Sequence, residues 1–331
     1  MNEFDMRDKN LDIYRGGVML YIILVIHGLT NFQFVSAFSW VTSILLFEMP
    51  IIFFISGAAL KLSKRKKFKE ILKSRFYRIL IPYYIYAFIT ILFAVLVIGK
   101  QDFWELRHIV FIKNSPLIPY SNQIWFIIPY FIISILGNIY LNLYEKSRSK
   151  LHLLILAFVC IIVIMDYFSF HLEQLREVIV YSIFFIFGFY YKEHVSNKIL
   201  LTGGVCSLIM VFFLFTLGYP LAIQNNKFPP NLLFIFFGAF YIFLFSLIFR
   251  RIQLPNWKVL QRWNKYGLEI YLYQNYAFLL VYVVLLFLGV QNVIFQYIVT
   301  LVLLFGILTI SSPYINKLNG RIIQKMKLVT N

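Results

Sequence analysis

Ten stretches of the chain are apolar over lengths close to a bilayer's thickness: residues 16–34, 38–60, 79–99, 121–143, 151–169, 176–191, 199–218, 231–249, 267–290 and 292–312. An α-helix rises about 1.5 Å per residue and the hydrocarbon layer is about 30 Å thick, so each such run predicts one membrane-spanning helix. The sixth run is short, and the connection at 289–292 is so brief that the last two runs predict an antiparallel hairpin. No internal repeat or low-complexity linker interrupts the pattern, so residues 1–331 read as a single integral membrane domain. The opening MNEFDMRDKNLDI lacks the basic, apolar and small-residue order of a removable signal, which predicts that the first run stays as an anchor. The expected fold is an all-α polytopic bundle of about ten transmembrane helices.

Composition agrees with that reading and closes off others. Apolar residues make up 61% of the chain and charged residues 14%, against about 45–50% and about 25% in soluble domains. A soluble enzyme, a disordered chain and a disulfide-stapled secreted domain are excluded. The net charge of +17 would point to nucleic acid in a soluble protein. Cytoplasmic loops of membrane proteins concentrate Lys and Arg. With the N-terminus inside, alternate segments hold 26 of the 31 basic residues, leaving Lys100, Arg107, Lys113, Arg176 and Lys227 outside. The charge therefore predicts orientation, with both termini cytoplasmic, and no nucleic-acid partner. Cys160 and Cys206 fall in apolar runs and read as small buried hydrophobes.

Ionisable groups inside apolar runs are costly and mark candidate functional positions. His27 lies twelve residues after Arg15, about 18 Å along a helix. Glu48 interrupts the second run at a similar expected depth. Histidine takes and returns a proton near neutral pH, and a carboxylate beside it orients the ring, which is the logic of a general base. Each residue has an architectural alternative, a polar group that only ties helices together. His108, His152, His171 and His194 lie in loops or at run ends, and no pair has metal-ligand spacing, so a metal site is not expected. Between Lys61 and Arg78 there are nine basic residues. Attraction to anionic lipid headgroups accounts for Lys64 to Lys69. Arg75 and Arg78 are spaced one helical turn apart before the third run, on one expected face. Arginines so placed can clamp a phosphate.

Together these positions resemble the acyltransferase 3 family of integral membrane acyltransferases. Its Asp-x-x-Arg-Gly element followed by a histidine is matched by Asp12, Arg15, Gly16 and His27. Phe-Phe-x-x-Ser-Gly is matched by FFISG with Ser56 and Gly57, and Arg-x-x-Arg with Pro-Tyr by Arg75, Arg78, Pro82 and Tyr83. A polar residue before Trp-Phe is matched by Gln123, Trp125 and Phe126, and the C-terminal element by NKYGLEIYLYQ, which contains Glu269 and Gln274. Three positions depart from the pattern. His27 follows Arg15 by twelve residues rather than eleven, a turn of about 100° unless Gly16 and Gly17 absorb it. Glu48 and Gln274 stand where relatives often carry histidines.

The resemblance implies transfer of an acyl group, most often acetyl from cytosolic acetyl-CoA, to a hydroxyl of a cell-surface polysaccharide or its lipid-linked precursor. It implies no tightly bound cofactor, a bacterial cytoplasmic membrane setting, and partners limited to acyl-CoA, a carbohydrate or lipid-linked glycan acceptor and membrane lipid. His27 is the implied catalytic residue, as general base or acyl carrier, with Glu48 orienting it. Arg15, Arg75 and Arg78 are implied donor-binding residues. Asp12, Ser56, Gln123, Trp125, Glu269 and Gln274 are supporting or acceptor-lining. Trp125 has an interfacial-belt alternative. An exporter or flippase for a polysaccharide or its lipid-linked precursor is the competing function. The acyl group, the acceptor sugar, the side of transfer and the oligomeric state stay open at this level.

Overall fold

The computed structural model describes residues 8–31, 43–97, 99, 103–112, 123–252, 255, 257–289 and 292–329. Residues 1–7, Lys100, Lys113 and the 290–291 centre of the final hairpin turn, all used above, lie outside them. The described residues form helices and no strand. Helix α1 is Lys9–Leu20, continued by a π-helical stretch Tyr21–His27 and a last turn Gly28–Asn31. α2 is Glu48–Lys61, α3 Phe68–Arg75, α4 Ile81–Leu96 and α5 Phe103–Val110. α6 is Ile127–Lys146, α7 Arg148–Tyr167, α8 Glu173–Phe187, α9 Asn197–Thr216 and α10 Ile223–Lys227. α11 is Leu232–Arg251, α12 Lys258–Lys265, α13 Gly267–Phe287 and α14 Val293–Val329. Ser147, Ser196 and Asn231 cap α7, α9 and α11 by accepting from the backbone N–H groups of Lys150, Ile199 and Phe234. A cap satisfies a donor that the first helical turn leaves bare.

Nine helices among the described residues are long and apolar enough to cross a membrane, one fewer than the ten runs. The exception is the sixth run, where α8 has 15 residues and Glu173, Arg176 and Glu177 occupy its first turns. Its path is nonetheless that of a crossing. Arg176 meets Asp166 at the C-terminal end of α7, and Glu193, just beyond α8, meets Arg148 at the N-terminal end of α7. The segment thus runs antiparallel to α7 over the full height of a 20-residue helix, about 30 Å.

The chain packs as two compact units, each assembled from three separated segments. The first comprises residues 1–18, 38–66 and 132–257. At its centre α2 and α8 bury most of their side chains, with Phe53 stacked on Tyr181 at 4.7 Å between ring centroids. Gly57 and Gly188 make that approach possible. A Cβ on Gly57 would overlap the Phe185 carbonyl, and one on Gly188 the Phe54 carbonyl. Small residues let helix backbones come this close where lipid offers no hydrophobic push. Tyr14 of α1 stacks on Phe249 at 3.8 Å and donates to the Ile252 carbonyl at 2.6 Å, tying α1 to the end of α11.

At the basic end of this unit Glu193 accepts from Lys61 at 2.7 Å and from Tyr144 at 2.6 Å. Those hydrogen bonds hold its carboxyl down to about 2. A carboxylate so depressed stabilises the fold at neutral pH, and the contribution is lost only as pH falls from the ordinary carboxylate range toward about 2. α7 and α9 turn most of their apolar side chains outward. Cys160 and Cys206 go with them and are exposed rather than buried in protein, because a helix apolar all round carries no mark of which face turns inward.

The second unit comprises residues 19–37, 67–131 and 258–331. Its core joins α4, α5, the start of α6 and α13 through Tyr83, Tyr86, Ile109, Ile124, Ile127 and Leu272. Tyr83 donates to the Ile109 carbonyl, and Tyr276 donates to Thr90 at 2.8 Å. Trp263 of α12 is fully buried, stacked on Phe305 and donating to Thr309 of α14 at 2.9 Å.

Gly57→Ala is expected to force α2 and α8 apart, an overpacking worth about 1–3 kcal/mol. In detergent the melting temperature should fall by at least about 2–4 °C. A variant that melts with the parent protein would show that the contact is looser than described.

Candidate functional site

The second unit holds His27, Arg75, Arg78, Gln123, Trp125, Glu269 and Gln274, and the first holds Asp12, Arg15, Glu48 and Ser56. Each group is built from its own contacts.

His27 closes the π-helical stretch of α1. A π-helix bonds i to i+5 and so takes one more residue into its turn than an α-helix, and such stretches occur frequently at functional positions. Gly16, by contrast, lies in regular helix with Gly17, so the widened turn rather than the glycine pair accommodates the twelve-residue spacing.

The ring of His27 is half-buried, and its Nδ1 lies 2.6 Å from Oε1 of Gln274. Gln274 is 1% exposed, and its Nε2 donates to the Tyr271 carbonyl at 2.8 Å. A backbone carbonyl only accepts, so the amide nitrogen must face Tyr271 and the amide oxygen must face the imidazole. An amide oxygen also only accepts, so Nδ1 carries the proton. In neutral His27 the lone pair is then on Nε2, the nitrogen turned away from Gln274. The contact that fixes the ring is therefore with α13.

Tyr271, one turn before Gln274 on the same face, has its ring 6.1 Å from that of His27. Its hydroxyl donates to the Gln123 carbonyl at 2.7 Å, and its ring lies 5.3 Å from Phe126. The Gln-x-Trp-Phe turn and the histidine are thus both positioned by α13. Gln123 is 6% exposed, and its Nε2 has no hydrogen-bond partner among the described residues. Buried polar atoms nearly always have one. Trp125 is half-buried, with its ring 6.1 Å from Phe126. Glu269 is buried one and a half turns before Gln274 and accepts from Asn319 of α14 at 3.5 Å.

Arg75 ends α3, and Arg78 lies inside a second π-helical stretch, Phe76–Leu80. The expectation that the two share a face assumed α-helical winding. The wider turn removes that alignment, leaving Arg75 half-buried and Arg78 exposed. Tyr77 lies between them with the ammonium of Lys327 5.0 Å from its ring centroid.

In the first unit Arg15 donates to Ser56 at 3.0 Å, and Ser56 donates to the Ile52 carbonyl at 2.8 Å, joining α1 to α2. Asp12 is half-buried one turn before Arg15. Glu48 is fully buried and its Oε1 is ion-paired with Lys227. Lys227 was expected in an outer loop, but α10 carries it inward to 4% exposure. A carboxylate held in an apolar interior needs a counterion, and this is the one cation in a segment otherwise free of charge, which is the signal that could have paired them.

Asp166, within the fifth apolar run, is a further ionisable group not named among the candidates above. It binds Arg176 at 2.5 Å and accepts from Tyr219 at 3.0 Å and from the Leu232 N–H at 3.1 Å. Arg176 comes from the next helix, whereas Tyr219 and Leu232 are 53 and 66 residues away. Among the described residues no three His, Cys, Asp or Glu side chains gather in a way that could hold a metal ion.

No curated protein and no solved structure matches the chain. A family does: the acyltransferase domain named Acyl_transf_3 matches residues 8–315. That match takes in α1 through Ile315 of α14, with His27, Gln274 and every site residue expected from the sequence. The chain is a multi-pass helical membrane protein that belongs to this acyltransferase family.

Proposed function

We propose that the protein is an O-acyltransferase that moves an acyl group, acetyl in the first instance, from cytosolic acyl-CoA to a hydroxyl of a cell-surface polysaccharide or its lipid-linked precursor. The observation that carries the reading is the hydrogen bond from His27 Nδ1 to Gln274, which leaves Nε2 as the basic nitrogen. A histidine with its tautomer fixed in this way is equipped to take a proton from an alcohol.

The acceptor hydroxyl gives its proton to His27 Nε2 while its oxygen bonds to the thioester carbonyl carbon. The tetrahedral oxyanion then collapses, the carbon–sulfur bond breaks, and the CoA thiolate takes the proton back from the imidazolium. The buried amide of Gln123, whose Nε2 has no partner among the described residues, is the donor proposed for the oxyanion. Trp125 lines the acceptor side, and Arg75 and Arg78 hold the donor's phosphates. Arg15 and Ser56 anchor α1 to α2. Glu48, whose Oε1 is ion-paired with Lys227, is given the architectural role. Glu269 with Asn319 secures α13 against α14.

A bacterial cytoplasmic membrane with both termini in the cytosol suits this reading. The positive charge falls on that side, and α8 supplies the crossing that makes the count even.

Membrane vesicles given labelled acetyl-CoA should label the glycan, and His27→Ala should abolish the label while the protein stays folded. General-base loss costs about 10²–10⁴-fold, so persisting label at the parent rate refutes the assignment. Gln274→Leu should lower kcat, whereas Gln274→Glu, which still accepts from Nδ1 and stabilises the imidazolium, should keep activity and move the acidic limb of the pH–rate profile to higher pH. An unmoved limb would show that Gln274 does not act on His27. Arg75→Ala with Arg78→Ala should raise the donor KM by at least about tenfold; donor kinetics like those of the parent would remove both from the phosphate site.

A further inference from the structure

The family match ends at residue 315, yet α14 continues to Val329. With 37 residues the helix is about 55 Å long, and a bilayer's hydrocarbon needs only about 30 Å of it. Residues 316–329 carry Lys317, Arg321, Lys325 and Lys327 and no acid, and all four cations are exposed. Lys317, Arg321 and Lys325 recur every four residues and so form one stripe along the helix.

The end of the helix has a fixed address. Lys327 sits 5.0 Å over the ring of Tyr77, and Tyr77 lies between Arg75 and Arg78. A cation–π contact holds a lysine over a ring with modest energy. Here it brings the end of a helix outside the family's extent beside the family's own arginine pair, all within one compact unit. Lys317, Arg321 and Lys327 line one open face of α14 with Gly320, Ile323 and Gln324, and a side chain at Gly320 would meet nothing within 4 Å.

We propose that the C-terminal extension of α14 completes an organic-phosphate site with Arg75 and Arg78. Lys317, Arg321 and Lys327 take phosphates that the two arginines do not reach, and the open face at Gly320 leaves room for the nucleoside. The ligand class is a nucleoside bisphosphate carrying a pyrophosphate, the handle of the CoA donor, and in this the inference rests on the acyl-transfer reading. Anionic lipid headgroups offer the same phosphate chemistry, so the source must be separated by experiment.

The full-length protein in discs of zwitterionic phosphatidylcholine is titrated calorimetrically with adenosine 3′,5′-bisphosphate, and so is the variant K317Q/R321Q/K327Q. The three charges would meet the ligand's phosphates directly, so the variant's Kd should weaken by at least about tenfold. A Kd within twofold of the parent, or no binding to the parent, overturns the site. Should the triple variant melt early, R321Q alone gives the same reading. In discs enriched in phosphatidylglycerol the parent's Kd should weaken, because the headgroups compete. A triple variant that loses only its preference for anionic discs, with bisphosphate affinity intact, would assign the stripe to lipid and overturn the proposal. Arg321-dependent bisphosphate binding by a protein that transfers no acetyl would instead sink the acyl-transfer reading and leave the site standing.

Discussion

A polar group inside a mostly apolar helical bundle has no water to turn to, and its partner must come from the protein itself. That constraint explains more of this structure than any propensity. Glu48 is paired with Lys227, brought in by a short helix from 179 residues away. Asp166 gathers Arg176, Tyr219 and the first N–H of α11. His27 meets Gln274, 247 residues distant. Apart from the Asp166–Arg176 pair, which joins consecutive helices, these contacts join segments that the chain order keeps apart.

Hydrogen-bond direction is what gives the His27 contact chemical meaning. A glutamine can hold an imidazole without adding charge, so it selects a tautomer but does not stabilise the imidazolium as a carboxylate would. The π-helical stretch serves the same residue from the backbone side. The second such stretch, at Phe76–Leu80, carries Arg78, so two of the motif positions sit where the chain departs from regular α-helix. Neither departure has a local signature, because Tyr-Ile-Ile-Leu-Val-Ile-His and Phe-Tyr-Arg-Ile-Leu read as ordinary apolar helix.

Close approach between backbones is the other organising device. The FFISG motif looks like a functional signature in sequence, yet its glycine works by having no side chain where α2 meets the Phe185 carbonyl. The serine beside it receives Arg15. Part of what marks the family in sequence is thus packing between α1, α2 and α8 in the first unit, while the tautomer-fixing contact belongs to the second.

The amino-acid sequence by itself determined the class and most of the spans, because a run of about 20 apolar residues has one stable solution in lipid. It also determined the family, through residues whose spacing survives in the chain order. It marked the sixth run as a short span, but it did not determine that Arg176 near the start of α8 is paired with Asp166. It did not determine that Glu48 belongs to Lys227 and His27 to Gln274, or that the chain divides into two interleaved units. Those are pairings across more than a hundred residues. Helices apolar on every side carry no inward mark, so only the folded packing decides which polar groups meet.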